Sequence, residues 1–416
     1  MPRVRVPGSL RGLPRETFVL ALVAFCVALG FGIVVPAVPL FAASLGVGAT
    51  GAGAVVSAFA LMRLVSGLAA GRLVDRVGER AALQAGLAVV AVSSALAGLA
   101  QSFPQLLVLR GVGGIGSAVF TIASTSLLLR VASAAQRGRT QSVYRGGFLL
   151  GGIVGPAFGG LVIGFSIRAP FFVYAGTLLV AAVAAATLLP RELPLRPPVP
   201  QEGAVTAGVA EDDGLPAGVV PEPPHTPLRT ALADPTYQAA LAGNFAVGFS
   251  VLGVRSTVVP LLVVAEDGLG LAPGWVDIAF TVAAVVQGLL LLPAGRFVDE
   301  VGRVPALVLG GLVAAAALAG LAAATGPATL LLTTAVFAAG AALLGVAPAA
   351  MVGDAVQGRG GTAVAVWQMS SDLGSVVGPL AAGLLIDTGS YGTALLVSAA
   401  VVAACSLTGL RGRSVR

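Results

Sequence analysis

Ionisable side chains are scarce in this chain, and a few of them lie inside long apolar stretches. Four are arginines, and Asp372 is the one clearly embedded acid. Because a charged group inside a bilayer is costly, each such residue is a candidate for binding or coupling. An embedded aspartate either binds a proton or pairs with an arginine, so both roles stay open for Asp372. The embedded arginines are Arg63, Arg110, Arg145 and Arg255.

The overall composition excludes several classes of protein. Hydrophobic residues make up 57% of the 416 residues and charged residues only 10%, whereas a soluble domain carries about 25% charged residues. A soluble enzyme, a disordered chain and a disulfide scaffold are therefore excluded. The apolar stretches contain no histidine, phosphate-binding loop, metal-ligand spacing or nucleophile motif. We expect neither an enzyme nor a bound metal or cofactor.

Twelve apolar windows are long enough to cross a bilayer as helices. Helices satisfy their own backbone groups in lipid, so the sequence predicts an all-α membrane protein with twelve transmembrane helices. We number these spans 1 to 12. The windows are 17–40, 50–72, 81–101, 104–129, 141–164, 169–189, 237–263, 274–295, 304–325, 327–350, 363–386 and 390–410.

The positions of the positive charges predict the orientation. All 24 are arginines, and 19 fall on the side that carries both termini, against Arg168 alone on the other. By the positive-inside rule, both termini face the cytoplasm of a multi-pass protein in the cell membrane. The net charge of +6 then reflects topology, and we expect no nucleic-acid partner.

A proline-rich and acidic connection separates two sets of six spans. Residues 191–236 cannot form a core and read as a flexible cytoplasmic linker between domains 1–190 and 237–416. The stretch Pro227–Tyr237 is a candidate for a short interfacial helix, and the only histidine, His225, is expected to be solvated.

The two sets of spans repeat each other at a nearly constant offset. The segment 71–80 after span 2 matches 295–303 after span 8 at an offset of 224, and Pro36 maps onto Pro260. Gly155 and Pro156 in span 5 map onto Gly378 and Pro379 in span 11 at an offset of 223. The halves are therefore homologous six-helix bundles, and such repeats are typical of transporters with a site between them. The repeat also maps Arg63 onto Gln287 and Arg145 onto Gln368, which adds both glutamines to the candidate site.

Several motifs resemble those of the major facilitator superfamily, over nearly the whole chain apart from the linker. Segment 71–80 resembles the 2–3 loop signature, 106–116 resembles a span-4 motif, and 30–39 and 151–160 resemble motifs of the drug:proton antiporter branch. The loop residues and their repeat copies are Gly71, Asp75, Arg76, Gly78, Arg80, Gly295, Asp299, Gly302 and Arg303. The span-5 residues and their copies are Gly151, Gly155, Pro156, Gly159, Gly160, Gly378 and Pro379.

The resemblance implies a secondary active transporter that works by alternating access as a monomer. The span-5 motif favours proton-coupled efflux of drugs or metabolites, a multidrug-resistance activity. A proton symporter that imports a sugar, an organic acid or a phosphate ester is the alternative. Four embedded arginines against one aspartate point to neutral or anionic, partly apolar substrates.

The resemblance further implies that Asp75 caps the N-terminus of span 11 and so holds an outward-facing state. The alternative is that the loop arginines only fix topology. Relatives often pair the loop arginine with an acid at the end of span 4, but no acid lies between Arg80 and Arg191, so we expect that pair to be absent. The span-5 motif is either a bend that controls closure or a packing kink.

Each remaining candidate has a structural role as the alternative to binding or coupling. Arg145 lies about one turn inside span 5 and could snorkel. Arg110 could bond to backbone carbonyls, and Arg63 could occupy an exposed cavity edge. Asp277, near the outer end of span 8, is expected to be wetted.

Overall fold

The computed structural model describes residues 13–132, 136–190, 228–355 and 361–410, and every regular element within these ranges is a helix. Twelve of the helices are long and apolar enough to cross a membrane, which confirms the predicted fold class. The spans are Arg15–Val34, Ala49–Val77, Glu79–Gly98, Phe103–Val131, Arg137–Phe165, Ala169–Leu188, Pro235–Val264, Gly274–Glu300, Arg303–Ala322, Pro327–Ala355, Gly361–Thr388 and Tyr391–Leu407.

Two glycines make the tight turns of the repeated loop signature. Gly78 lies between spans 2 and 3 with φ of 83°, and Gly302 lies between spans 8 and 9 with φ of 115°. Side chains rarely tolerate such positive φ values, whereas glycine adopts them freely. The repeated glycine therefore reverses the chain direction in a very short turn, so that spans 2 and 3, and likewise spans 8 and 9, follow each other in opposite directions.

Spans 1 and 7 are irregular in their C-terminal halves. The first helix of span 1 ends at Val34, and a second helix, Ala37–Ser44, follows Pro36. Span 7 contains a π-helical segment, Gly248–Val254, just before the part that includes Pro260. A proline removes a backbone hydrogen bond from the helix in both spans, but nothing in the sequence predicts the π segment, a feature that often marks functional sites.

The two halves meet along a seam formed by four spans. Span 2 packs on span 11, and span 5 packs on span 8. Within the first half, span 1 packs on spans 5 and 6, and span 4 packs on spans 2 and 3. A short helix, Leu228–Ala233, precedes span 7 where an interfacial helix was predicted, and the rest of the predicted linker up to residue 227 lies outside the described residues.

The seam is closed at one face of the molecule and open at the other. We call the face with the 2–3 and 8–9 loops the arginine face, and the other the opposite face. At the opposite face, Asp387 of span 11 accepts hydrogen bonds from the backbone N–H groups of Ala49 and Thr50 in span 2, at 2.8 and 2.9 Å. Toward the arginine face, Leu68 of span 2 and Leu292 of span 8 are 83% and 80% exposed. Leu68 lies about three helical turns from Ser57, and Leu292 lies about one turn from Gly288, so both are on the faces that contact the other half. Their exposure shows that the seam opens into a cavity on the side of the arginine face.

Candidate functional site

An ion pair joins the two halves where the closed part of the seam meets the cavity. A guanidinium nitrogen of Arg63 in span 2 donates to Oδ1 of Asp372 in span 11. Toward the opposite face, Ser57 Oγ donates to the carbonyl of Val376 at 2.7 Å. The Arg63 side chain keeps 30% of its exposure and that of Asp372 12%. In this conformation Asp372 forms the ion pair, the second of the two roles considered for it.

Arg110 is buried within the first half, against aromatic side chains of that half. Its guanidinium carbon lies 4.7 Å from the centroid of the Phe59 ring, and the ring of Phe31 lies 6.0 Å from Phe59 and 6.2 Å from Tyr174. Arg110 is only 6% exposed, and within the described part of the chain it makes no ion pair or hydrogen bond, with Nε unsatisfied. Stacking on a ring offsets part of the cost of burying the charge. The backbone-carbonyl role considered for Arg110 is therefore not formed here.

The remaining candidates do not converge on the ion pair. Arg255 stacks over the Phe280 ring at 4.9 Å, and its Nε makes only a long 3.4 Å contact with the carbonyl of Val251. Arg145 is exposed. Gln287 is half-buried and Gln368 exposed, and neither makes a side-chain hydrogen bond to the described residues. The structure thus pairs one predicted arginine with the predicted acid and leaves three arginines without an acidic partner among the described residues.

Asp277 is a second embedded acid, in addition to Asp372. It is 2% exposed, and neither carboxylate oxygen has a hydrogen-bond partner in the described ranges. The expectation that it is wetted is wrong, because the halves close over the N-terminal end of span 8. The repeat contains a signal for the burial of Asp277. An offset of 224 maps Asp277 onto Gly53, and Gly53 packs against the backbone of Pro379 in the other half.

The span-5 glycines bring two helix backbones of the first half together. A Cβ on Gly155 would lie 2.5 Å from the carbonyl oxygen of Leu29, and one on Gly151 would lie 2.8 Å from the Leu29 nitrogen. The helix runs through Pro156 without a break. In the second half, a Cβ on Gly378 would lie 2.5 Å from the carbonyl of Phe249. These contacts support the packing role considered for the motif.

We expect Gly151→Ala to destabilise the protein and Gly152→Ala to leave it unchanged. The added methyl at position 151 meets the backbone of span 1, whereas nothing lies within 4 Å of a Cβ at position 152. Overpacking of this kind costs about 1–3 kcal/mol. Thermal unfolding of the two purified variants in detergent measures the difference. Equal melting temperatures would show that spans 1 and 5 do not approach this closely.

The 2–3 loop makes no hydrogen bond to the second half among the described residues, although Arg80 donates to the carbonyl of Ala186 in its own half at 2.6 Å. Asp75, Arg72 and Arg76 are exposed, and Asp75 accepts no hydrogen bond from the described residues. The helix cap predicted for Asp75 is therefore not formed while the arginine face is open. The equivalent contact lies at the other end of the same two spans, where Asp387 caps span 2.

A charge pair near the loop is present with its signs reversed between the halves. Arg130 at the end of span 4 donates to Glu79 at the start of span 3 at 2.8 Å. In the second half, Arg303 at the start of span 9 donates to Asp354 at the end of span 10 at 3.0 Å. Both partners are shifted by 224. Span 4 indeed ends without an acid, as the sequence shows. The ion pair between spans 3 and 4 is nevertheless present, with its basic and acidic residues exchanged relative to spans 9 and 10.

The comparisons with known proteins agree with this architecture. The family model described as Major Facilitator Superfamily matches residues 20–254 and again 245–414. Multidrug resistance protein 2 of Bacillus subtilis (strain 168) is 26% identical over 400 residues, which cover 95% of this chain and 94% of that protein. Quinolone resistance protein NorA of Staphylococcus aureus (strain MRSA252) is 30% identical over 172 residues, 40% of this chain and 43% of NorA.

Solved structures share the fold at low sequence identity. A bacterial homolog of the human lysosomal transporter Spinster, in an inward-facing and occupied conformation, superposes with a TM-score of 0.75 at 14% identity, over 96% of this chain and 97% of that one. A mutant of the peptide transporter POT gives 0.76 at 14% identity, over 97% and 95%. With the family model matching both halves, the chain belongs to the Major Facilitator Superfamily, whose members are transporters and not enzymes.

Proposed function

We propose that this protein is a secondary active transporter that exports drugs or amphipathic metabolites in exchange for protons. The observation that carries the transport role is the seam itself, which is closed at the opposite face and open at the arginine face around the Arg63–Asp372 pair. Alternating access requires such a one-sided opening. The direction is supported by the relative that matches 95% of this chain, which is named for multidrug resistance.

The positive-inside rule assigns the arginine face to the cytoplasm, with both termini on that side. The conformation described here is then inward-facing. The two domains, 1–190 and 237–416, rock about the seam as a monomer, and residues 191–236 link them. The alternative of a proton symporter for sugars, organic acids or phosphate esters has the same architecture, but no relative named here favours it over export.

The embedded charges support a substrate that is neutral or anionic and partly apolar. Arg110 presents a buried positive charge on aromatic rings, and no acid among the described residues pairs with it. A carboxylate, phenolate or polarised carbonyl of a substrate that reaches this guanidinium would satisfy it, and the half-buried ring of Phe31 would cover an apolar body. A permanently cationic substrate would place like charges together at this point.

Export from a host that lacks its own efflux pumps tests the proposal. We expect expression to lower the accumulation of anionic or neutral amphipathic compounds, and an uncoupler of the proton gradient to restore it. Arg110→Ala should reduce export of anionic compounds at least tenfold, because it removes a buried charge that binds them. Arg110→Lys, which keeps the charge without the planar fork, is the matched control and should retain part of the activity.

The panel must include permanently cationic dyes. Preferred export of these dyes would contradict the substrate class, although not the transporter function. Accumulation that does not change with expression for any compound would contradict export itself.

A further inference from the structure

A second embedded acid lies far from the central ion pair, at the closed face of the seam. Asp277 belongs to the first turn of span 8, which begins at Gly274. It is 2% exposed, and neither of its carboxylate oxygens has a hydrogen-bond partner within the described ranges. Buried polar groups in proteins are nearly always paired, so an orphaned carboxyl needs an explanation.

The carboxyl of Asp277 is pressed against the other half of the molecule. A Cβ on Gly159 of span 5 would lie 2.9 Å from Asp277 Oδ1, and the nearest other atoms at that position belong to the backbone of Ile33. Gly159 is one of the glycines of the span-5 motif. The absence of a side chain at position 159 therefore makes the space that the carboxyl of Asp277 occupies when the two halves are together.

No cation compensates this carboxyl where the chain is described. Arg255 is directed onto the ring of Phe280, about one turn further along span 8, and Arg168 lies over the ring of Phe41. Glu266 is exposed in the connection between spans 7 and 8. The three salt bridges found in the described residues do not include Asp277.

The helices packed around Asp277 add few ionisable groups of their own. Residues 146–167 of span 5 and 327–353 of span 10 contain none, and span 1 beyond Glu16 contains only Cys26. Asp267 is exposed in the connection between spans 7 and 8, and Asp387 is bound to the N-terminus of span 2. Among the described residues, the compensation for an ionised Asp277 would be limited to the partial positive charge at the N-terminus of span 8. A buried negative charge with so little compensation is one that proteins avoid by neutralising the group.

We infer that Asp277 is a proton-binding site that controls closure of the opposite face. When the halves part at that face, the carboxyl meets the solution on that side and ionises. Binding of one proton converts the carboxylate to the neutral acid, which the contact with Gly159 can cover. Proton uptake from the opposite face thereby favours the conformation described here. This inference rests on the proposed proton-coupled function and adds a site distinct from Asp372.

A distance measurement across the opposite face tests this role without any transport assay. Gln101 and Thr325 are exposed in the 3–4 and 9–10 loops and are related by the 224-residue offset. Both are replaced by cysteine in the full chain, with Cys26 and Cys405 replaced by serine, and carry spin labels. In the otherwise native chain, we expect the short-distance population to grow as the pH falls from mildly alkaline to mildly acidic.

Asp277→Asn should show the short distance at every pH, because its amide cannot ionise. Asp277→Ser, which also lacks the carboxyl, provides a second variant should the amide disturb folding, and it should likewise lose the pH response. Glu266→Gln, which removes an exposed carboxyl from the same face, is the matched control and should keep the response of the native chain. A native pH response in both Asp277 variants, or no response in the native chain, would overturn the inference. Failure of export in cells would instead count against the proposed function, since the distance measurement needs no substrate.

Discussion

Replacing Asp372 with asparagine is expected to abolish proton-driven export while leaving the protein in the membrane. The carboxylate is 12% exposed and is the partner of the Arg63 guanidinium across the seam. Without it, Arg63 remains at the base of the cavity with an unsatisfied charge, a loss of about 1–3 kcal/mol or more. The amide also cannot exchange a proton. Uncoupler-sensitive efflux from cells with matched membrane levels of the two proteins measures the result.

An exchange of the two charges separates the roles of ion pair and proton carrier. Arg63→Asp combined with Asp372→Arg restores an attractive pair between spans 2 and 11, so the melting temperature should recover relative to either single change. Export should stay lost if the carboxyl must sit on span 11. Recovery of export in the exchanged protein would show that only the pair matters. Uncoupler-sensitive export by Asp372→Asn would remove Asp372 as a proton carrier.

The span positions, the repeat and the family could all be predicted, because each depends on local composition. Apolar length defines a transmembrane helix regardless of what packs on it. The glycines at 78 and 302 turn the chain through their own backbone freedom. Likewise, an embedded residue such as Asp372 is conspicuous in the sequence because its cost comes from the bilayer.

The environments of the charged residues could not be predicted, because they depend on which face of the seam is closed. The sequence places Asp277 near the end of a span, where water is expected to reach it. It is buried because span 5 of the other half packs against it at Gly159. The pair of Glu79 and Arg130 could not be predicted for another reason: the family pattern has a positive residue at the loop and a negative one on span 4, and this pair has the opposite signs. The intact repeat partner, Arg303 with Asp354, shows that the position and not the sign is maintained.

Spans 2 and 11 each end in an aspartate that can cap the N-terminus of the other span, one at each face of the molecule. A second prediction with a large expected effect follows from this arrangement. Span 11 ends at the opposite face with Asp387, which caps the N-terminus of span 2 in this conformation. Span 2 ends at the arginine face with Asp75, which is exposed and which we expect to cap the N-terminus of span 11 when that face closes. Each carboxylate then favours a different conformation, since the partial positive charge of a helix N-terminus attracts it.

Asp387→Ala should therefore open the opposite face, and Asp75→Ala should do the reverse. Loss of a helix cap costs about 0.5–2 kcal/mol, and 1–2 kcal/mol changes a two-state ratio by roughly five- to thirty-fold. The spin-label pair at positions 101 and 325 reports the shift as a longer mean distance for Asp387→Ala and a shorter one for Asp75→Ala. Glu266→Ala removes an exposed acid from the same face as Asp387 and should change neither distance. Shifts in the same direction for both aspartate variants would rule out an exchange of caps, because each carboxylate would then stabilise the same state.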